Sequence, residues 1–112
     1  MKLLTPELKA QLRANWDRRV RDGKEYDCKP VVKLFNPMGR GTWLFTELSD
    51  DGDTLFGLCD LGAPELGYAS LSEIESYPGI WGIGIERDLH FEATKTLSEY
   101  ATEARWEGRI VT

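Results

Sequence analysis

Apolar residues return every four positions near the start of the chain. Leu8, Leu12, Trp16 and Val20 make one stripe, while Lys9, Arg13, Arg18, Arg19 and Arg21 occupy the other faces. That period predicts a helix. Thr5 supplies an N-cap, Pro6 suits the first helical position and Gly23 supplies the stop. The pattern then changes. Residues 29–35 (KPVVKLF), 42–48 (TWLFTEL) and 54–60 (TLFGLCD) are rich in β-branched and aromatic residues, separated by the turn clusters NPMGRG and SDDGD. They predict three strands, with Asp51-Gly52 marking a hairpin. A loop is expected over 61–67 and a short fourth strand from Tyr68. Ser70 and Glu73 have the spacing of a capping box and open a short helix through Ser76. A glycine-rich apolar loop, YPGIWGIG, leads into a fifth strand containing ERDLHFE (86–92). Thr96 and Glu99 open a last helix that carries Leu97, Tyr100, Ala101 and Ala104 on one side and stops at Gly108.

Short connections favour antiparallel neighbours. The order therefore predicts an α+β fold in a single domain over 1–112. Its core is a mainly antiparallel sheet of about five strands. The N-terminal and C-terminal helices are expected to pack on one face of that sheet, beside one short helix. The tail RIVT is expected to add an edge strand or to fray.

Composition narrows the class. Of 112 residues, 41% are hydrophobic and 29% charged, which fits neither a disordered nor a membrane chain. The N-terminus turns polar after Leu3 and Leu4, without the apolar core of a signal peptide, so a cytoplasmic location is expected. Cys28 and Cys59 lack metal-ligand spacing and read as small buried hydrophobes. A net charge of −5 argues against broad phosphate binding.

Glu86, Asp88, His90 and Glu92 alternate along the predicted fifth strand and would share one face of it. That face reads either as the wet side of a sheet or as an acid–base or metal site completed by Glu47 or Asp60 from a neighbouring strand. The cluster SDDGD lacks the closing Glu of a calcium loop, and NPMGRG lacks the Gly-Lys-Ser/Thr of a phosphate loop. No Ser-His-Asp elbow is present. Glu86, Asp88 and His90 are the remaining catalytic candidates. No metal site or cofactor is assigned. Trp81, between isoleucines in a glycine loop, is an anchor for a partner if it is exposed, or a cap on the core if the loop folds back. Asp60, Glu65 and Tyr68 lie in or beside the loop DLGAPELGY and are the other candidate contacts. Arg13, Arg18, Arg19 and Arg21 either complement the helix dipole on a solvated face or form a patch for nucleic acid, the less favoured reading.

Five motifs, NP-x-G, TWL-x-TE, FGLCDLG, PELGY-x-SL and IERDLHF, occur in this order between about Lys33 and Arg105. In combination they resemble the domain-of-unknown-function family 2958. The resemblance implies a small bacterial protein associated with plasmids, phages and integrative elements, near DNA-processing proteins. It carries no activity onto any residue. The expectation is a small non-enzymatic binding module that contacts a protein of the DNA-processing or defence machinery through Trp81 and the loop from Asp60 to Tyr68. The alternatives are an inhibitor of a host defence nuclease, a metal-dependent hydrolase built on Glu86, Asp88 and His90, and a nucleic-acid binder using the basic helix. No membrane contact is expected.

Overall fold

The computed structural model describes residues 3–112. α1 spans Pro6–Asp22; Thr5 Oγ1 accepts the amide of Leu8 at 3.2 Å and Gly23 closes the helix in the left-handed conformation. Four strands follow as a meander: β1 (Val32–Phe35), β2 (Thr42–Leu48), β3 (Thr54–Asp60) and β4 (Pro64–Ser70). α2 (Leu71–Ser76) comes next, capped by Ser70. β5 (Glu86–Arg87) and α3 (Leu97–Glu107) complete the chain. All strand pairs are antiparallel and the sheet order is β4-β3-β2-β1-β5. β4 is thus one edge and β5 the other. The segment joining them, α2 and the glycine loop, has to cross the breadth of the sheet.

The expected α+β class and the five antiparallel strands are present. The layering differs from expectation. Trp43 and Phe45 of β2 pack with Leu12 of α1 and with Leu71 and Ile74 of α2. Leu44, between them, packs with Leu97, Tyr100, Ala101 and Ala104 of α3. Alternate strand residues point to opposite faces, so the terminal helices lie on opposite faces of the sheet. The run Trp43-Leu44-Phe45 is apolar on consecutive positions because β2 is covered on both sides. Each fully buried side chain of this kind, such as Phe45 or Leu12, contributes about 1.5–3 kcal/mol.

α1 departs from its stripe. Val20 is 53% exposed, and Arg19 instead reaches inward. The cause is a bulge in β2 between Phe45 and Glu47. A bulge frees ladder groups and re-aims a side chain. Asn15 Nδ2 donates to the Thr46 carbonyl at 2.9 Å, and Arg19 Nε donates to Glu47 at 2.9 and 3.2 Å. The helix meets polar partners where the four-residue period expected apolar ones.

Three boundaries also moved. β1 starts at Val32 rather than residue 29. β4 starts at Pro64, inside the expected loop, because a proline is tolerated where an edge strand begins. β5 ends at Arg87 instead of running on to residue 92. The Asp88 carboxylate accepts the His90 amide at 2.9 Å, and the Asp88 carbonyl accepts the Phe91 amide. Such an aspartate-led turn competes with the sheet and ends it. The C-terminal tail forms no strand; Ile110 is buried and its amide is held by Asp60.

Candidate functional site

The loop between α2 and β5 is built from close backbone contacts. A Cβ on Gly79 would lie 1.7 Å from the Ile83 carbonyl oxygen, and one on Gly84 would lie 2.7 Å from that of Tyr77. Only glycine allows this approach. At the tip the Ile83 amide donates to the Ile80 carbonyl at 3.0 Å, and both residues between them have positive φ, Trp81 at 55° and Gly82 at 77°. Those signs are those of a type I′ turn. Gly82 takes them at no cost. Trp81 does not, and it is the one non-glycine residue with positive φ among the described residues. Its indole is 87% exposed, with Ile80 and Tyr77 exposed beside it. The loop does not fold back to cap the core.

The two ends of this loop, Tyr77 and Ile85, line a groove of about 430 Å³. The opposite side is formed by Leu61, in the β3–β4 turn, and by Tyr68. Trp43 and Ile74 add apolar lining, and Arg40 and Glu73 polar lining. The sequence segments containing Trp81 and Tyr68 therefore flank one surface. Leu61 and Tyr77, both exposed, are apolar parts of this groove and were not singled out from the sequence. A further feature is compositional: residues 41–86 carry nine carboxylates and no Lys, Arg or His. Glu47 and Asp60 are neutralised by Arg19 and Arg40, and the others hold no ion pair among the described residues. Of these nine, Glu73 lines the groove, beside Arg40.

The other candidates are placed as follows. Asp60 is 3% exposed; it accepts Arg40 Nη2 at 3.0 Å and the amides of Gly62 and Ile110 at 3.1 and 3.2 Å. It shapes the turn rather than facing solvent. Glu65 is exposed on β4. Glu86 is exposed on β5, apart from the other three acid–base residues of its segment. Asp88, His90 and Glu92 line a separate depression of about 380 Å³ together with Lys33, Lys95 and Glu103. Lys33 Nζ lies 3.5 Å from the Asp88 carboxylate. The alternation that would have set Glu86, Asp88, His90 and Glu92 on one strand face ends with the strand at Arg87, and Leu89 is exposed rather than buried. Among the described residues, no three His, Cys, Asp or Glu side chains are arranged to hold a metal ion. Cys59 is half-buried, and burial pushes its thiol up to about 11, which leaves little nucleophilic thiolate at neutral pH.

The four arginines of α1 all have partners within the chain. Arg13 pairs with Asp17 at 3.8 Å and lies over Trp16. Arg18 stacks on Tyr26 at 4.0 Å and donates to Cys28 Sγ at 3.2 Å. Arg19 is committed to Glu47, and Arg21 donates to Asp22 at 3.0 Å. Asp22 also accepts the Tyr26 hydroxyl. The Tyr26 and Arg21 donors hold the Asp22 carboxyl below its ordinary value, and Asp22 in turn raises Tyr26. Arg19 and Arg21 thus spend their charge on carboxylates, whereas Arg18 keeps its charge against an aromatic ring and a thiol.

Fold and surface together define a small α+β domain with an aromatic-tipped loop beside a largely apolar groove. The chain belongs to the family described as "Protein of unknown function (DUF2958)", whose model matches residues 3–111. Neither a curated protein nor a solved structure was found to match it. No helix among the described residues is long and apolar enough to cross a membrane.

Proposed function

We propose that this chain is a non-enzymatic protein-binding module that docks through the Trp81 loop and the groove beside it. The carrying observation is Trp81 itself, a large aromatic side chain held in solvent by a backbone conformation that disfavours it. Strain and apolar exposure both cost folding stability, and such residues persist where an outside contact uses them. Aromatic anchors of this kind dominate the energetics of protein interfaces. The resemblance noted in the sequence supplies the setting: the cytoplasm of a bacterium carrying a mobile genetic element, with a partner in its DNA-processing or defence machinery. Inhibition of a host defence nuclease is favoured as a second reading by the acidic stretch 41–86, which would complement a basic substrate channel.

The test places a photo-crosslinking amino acid at position 81, and separately at exposed Lys24, in cells of the native host. A discrete adduct at position 81 that is missing at position 24, and is competed by the wild-type chain but not by Trp81→Ala, is the expected result. Equal adduct patterns at both positions, or none, would overturn the proposal.

A further inference from the structure

β4 is an open edge. In the β3–β4 register, partners sum to a constant, as Thr54 with Ser70 and Gly57 with Gly67 do. The Leu71 amide, which continues that register, donates to the Asp53 carbonyl at 2.8 Å. Hydrogen-bonded and non-bonded pairs alternate in an antiparallel ladder. The odd residues Glu65, Gly67 and Ala69 therefore turn their backbone groups to β3. The even residues Pro64, Leu66, Tyr68 and Ser70 turn theirs outward. Pro64, which has no N–H, falls on the outward set, so the ladder loses nothing.

Among the described residues, no hydrogen bond reaches the amides of Leu66 and Tyr68 or the carbonyls of Pro64, Leu66 and Tyr68. The strand pairs with β3 over seven consecutive residues without a bulge and carries no lysine. Of the devices by which proteins guard an edge, β4 carries Pro64 and the single charge of Glu65. The opposite edge differs: β5 is two residues long, and its Arg87 guanidinium donates to the Leu3 carbonyl.

What fits the edge is set by charge. Tyr68, 71% exposed, lines the groove with Glu73 on one side and a smaller pocket with Glu25 on the other. Glu65 projects from the strand itself. None of the three carboxylates has an ion-pair partner, whereas the cations that line the two pockets, Arg40 and Arg19, are already paired, and Lys24 lies over the Tyr26 ring. A second copy of this chain would set these acids against each other. An extended segment bearing Lys or Arg would meet complementary charge on both sides, because its side chains alternate.

We propose that β4 accepts an extended, lysine- or arginine-rich segment of a partner protein as a sixth strand. The inference deepens the binding-module reading, and it stands on residues other than Trp81. Backbone bonds to Leu66 and Tyr68 supply the register, and Glu25, Glu65 and Glu73 supply the preference for a basic sequence.

The test is a titration of the isotope-labelled full chain, followed by NMR, with three synthetic peptides of about ten residues, the length of a long strand. One alternates lysine with valine, one alternates glutamate with valine, and the third is the lysine peptide N-methylated on every second amide. The lysine peptide is expected to shift Leu66, Gly67 and Tyr68 and to slow exchange of the Leu66 and Tyr68 amides. It should bind more than tenfold tighter than the glutamate peptide at low salt, and weaken as salt rises. Methylation of the amides that face β4 should abolish the effect. Equal binding of the methylated peptide, or shifts confined to acidic side chains away from β4, would overturn strand addition. Concentration-dependent shifts of β4 in the protein alone would also overturn it, in favour of self-pairing. Any of these failures leaves the Trp81-dependent adduct unaffected, and loss of that adduct leaves the β4 shifts unaffected, so the two readings fail separately.

Discussion

Asp60, almost wholly buried at the end of β3, accepts the half-exposed guanidinium of Arg40 at 3.0 Å from the far side of the β2 strand start. The same carboxylate accepts the Ile110 amide, and Arg40 donates to the Gly108 carbonyl at 2.8 Å. One ion pair thus ties the β3–β4 turn to the end of α3.

The two partners are not equivalent. Asp60→Ala would orphan the amides of Gly62 and Ile110 as well as Arg40, and should cost about 2–4 kcal/mol. Arg40→Ala leaves the carboxylate with both amides and removes a half-exposed group, so about 1–2 kcal/mol is expected. Urea denaturation of the two variants measures the order. A larger loss for Arg40 would contradict the hub role of Asp60.

Trp81→Asn should stabilise the isolated protein. Asparagine tolerates the left-handed conformation and suits the type I′ turn. The tryptophan loses almost no burial because it is 87% exposed. A gain of about 0.5–1 kcal/mol is expected in urea, together with loss of partner binding. A clear loss of stability would mean that the indole packs on its own fold, which would remove the observation behind the binding proposal.

Much of the fold was legible in the sequence because its punctuation is local. Thr5, Ser70 and Thr96 cap where their spacing predicts, and Gly23 and Gly108 stop the two long helices in the left-handed conformation. What was illegible is long-range. The bulge at Thr46 turned Arg19 inward and left Val20 in solvent, an outcome fixed by β2 and not by the helix period. The placement of α3 on the opposite face follows from Leu44 lying between Trp43 and Phe45, a run that periodicity cannot divide between two faces. The alternation in ERDLHFE was real in the sequence. Asp88 broke it by bonding the His90 amide, a choice between turn and strand that propensity leaves open. Trp81 was legible as an oddity, whereas its exposure depends on a turn whose hand appears only in φ.

Gly79→Ala and Gly82→Ala should separate packing from conformation in the Trp81 loop. Both glycines have positive φ, 66° and 77°. An added Cβ at Gly82 meets open space, but at Gly79 it falls 1.7 Å from the Ile83 carbonyl oxygen. Gly82→Ala should cost about 1 kcal/mol. Gly79→Ala should cost about 2–4 kcal/mol and shift amide resonances throughout 77–85. Similar small effects at both positions would mean that the loop is loosely held and does not present Trp81 in a fixed pose.

Acid should destabilise the fold through a particular set of carboxylates. Asp27 is held below its ordinary 3.8 by the Ser98 hydroxyl and amide at the start of α3. Asp51 is held lower still by Ser49, Thr54 and the amides of the β2–β3 turn, and Asp53 by Ser70 and Ser72. Glu99 is held below 4.5 by the Thr96 amide and hydroxyl in the capping box. A carboxyl whose folded value is depressed contributes stability that is fully present above its unfolded value and fades as pH falls through its folded value. Stability should therefore be flat from pH 7 to about 5 as far as these groups decide it, and decline steadily below about 4.5. Asp51, the most depressed, should keep contributing to the lowest pH. Urea midpoints measured from pH 7 to pH 2.5 test the decline, and Asp51→Asn should flatten its lower part. An unchanged slope in that variant would show that the turn bonds to Asp51 are equally made by its neutral form, and that acid acts on the fold elsewhere.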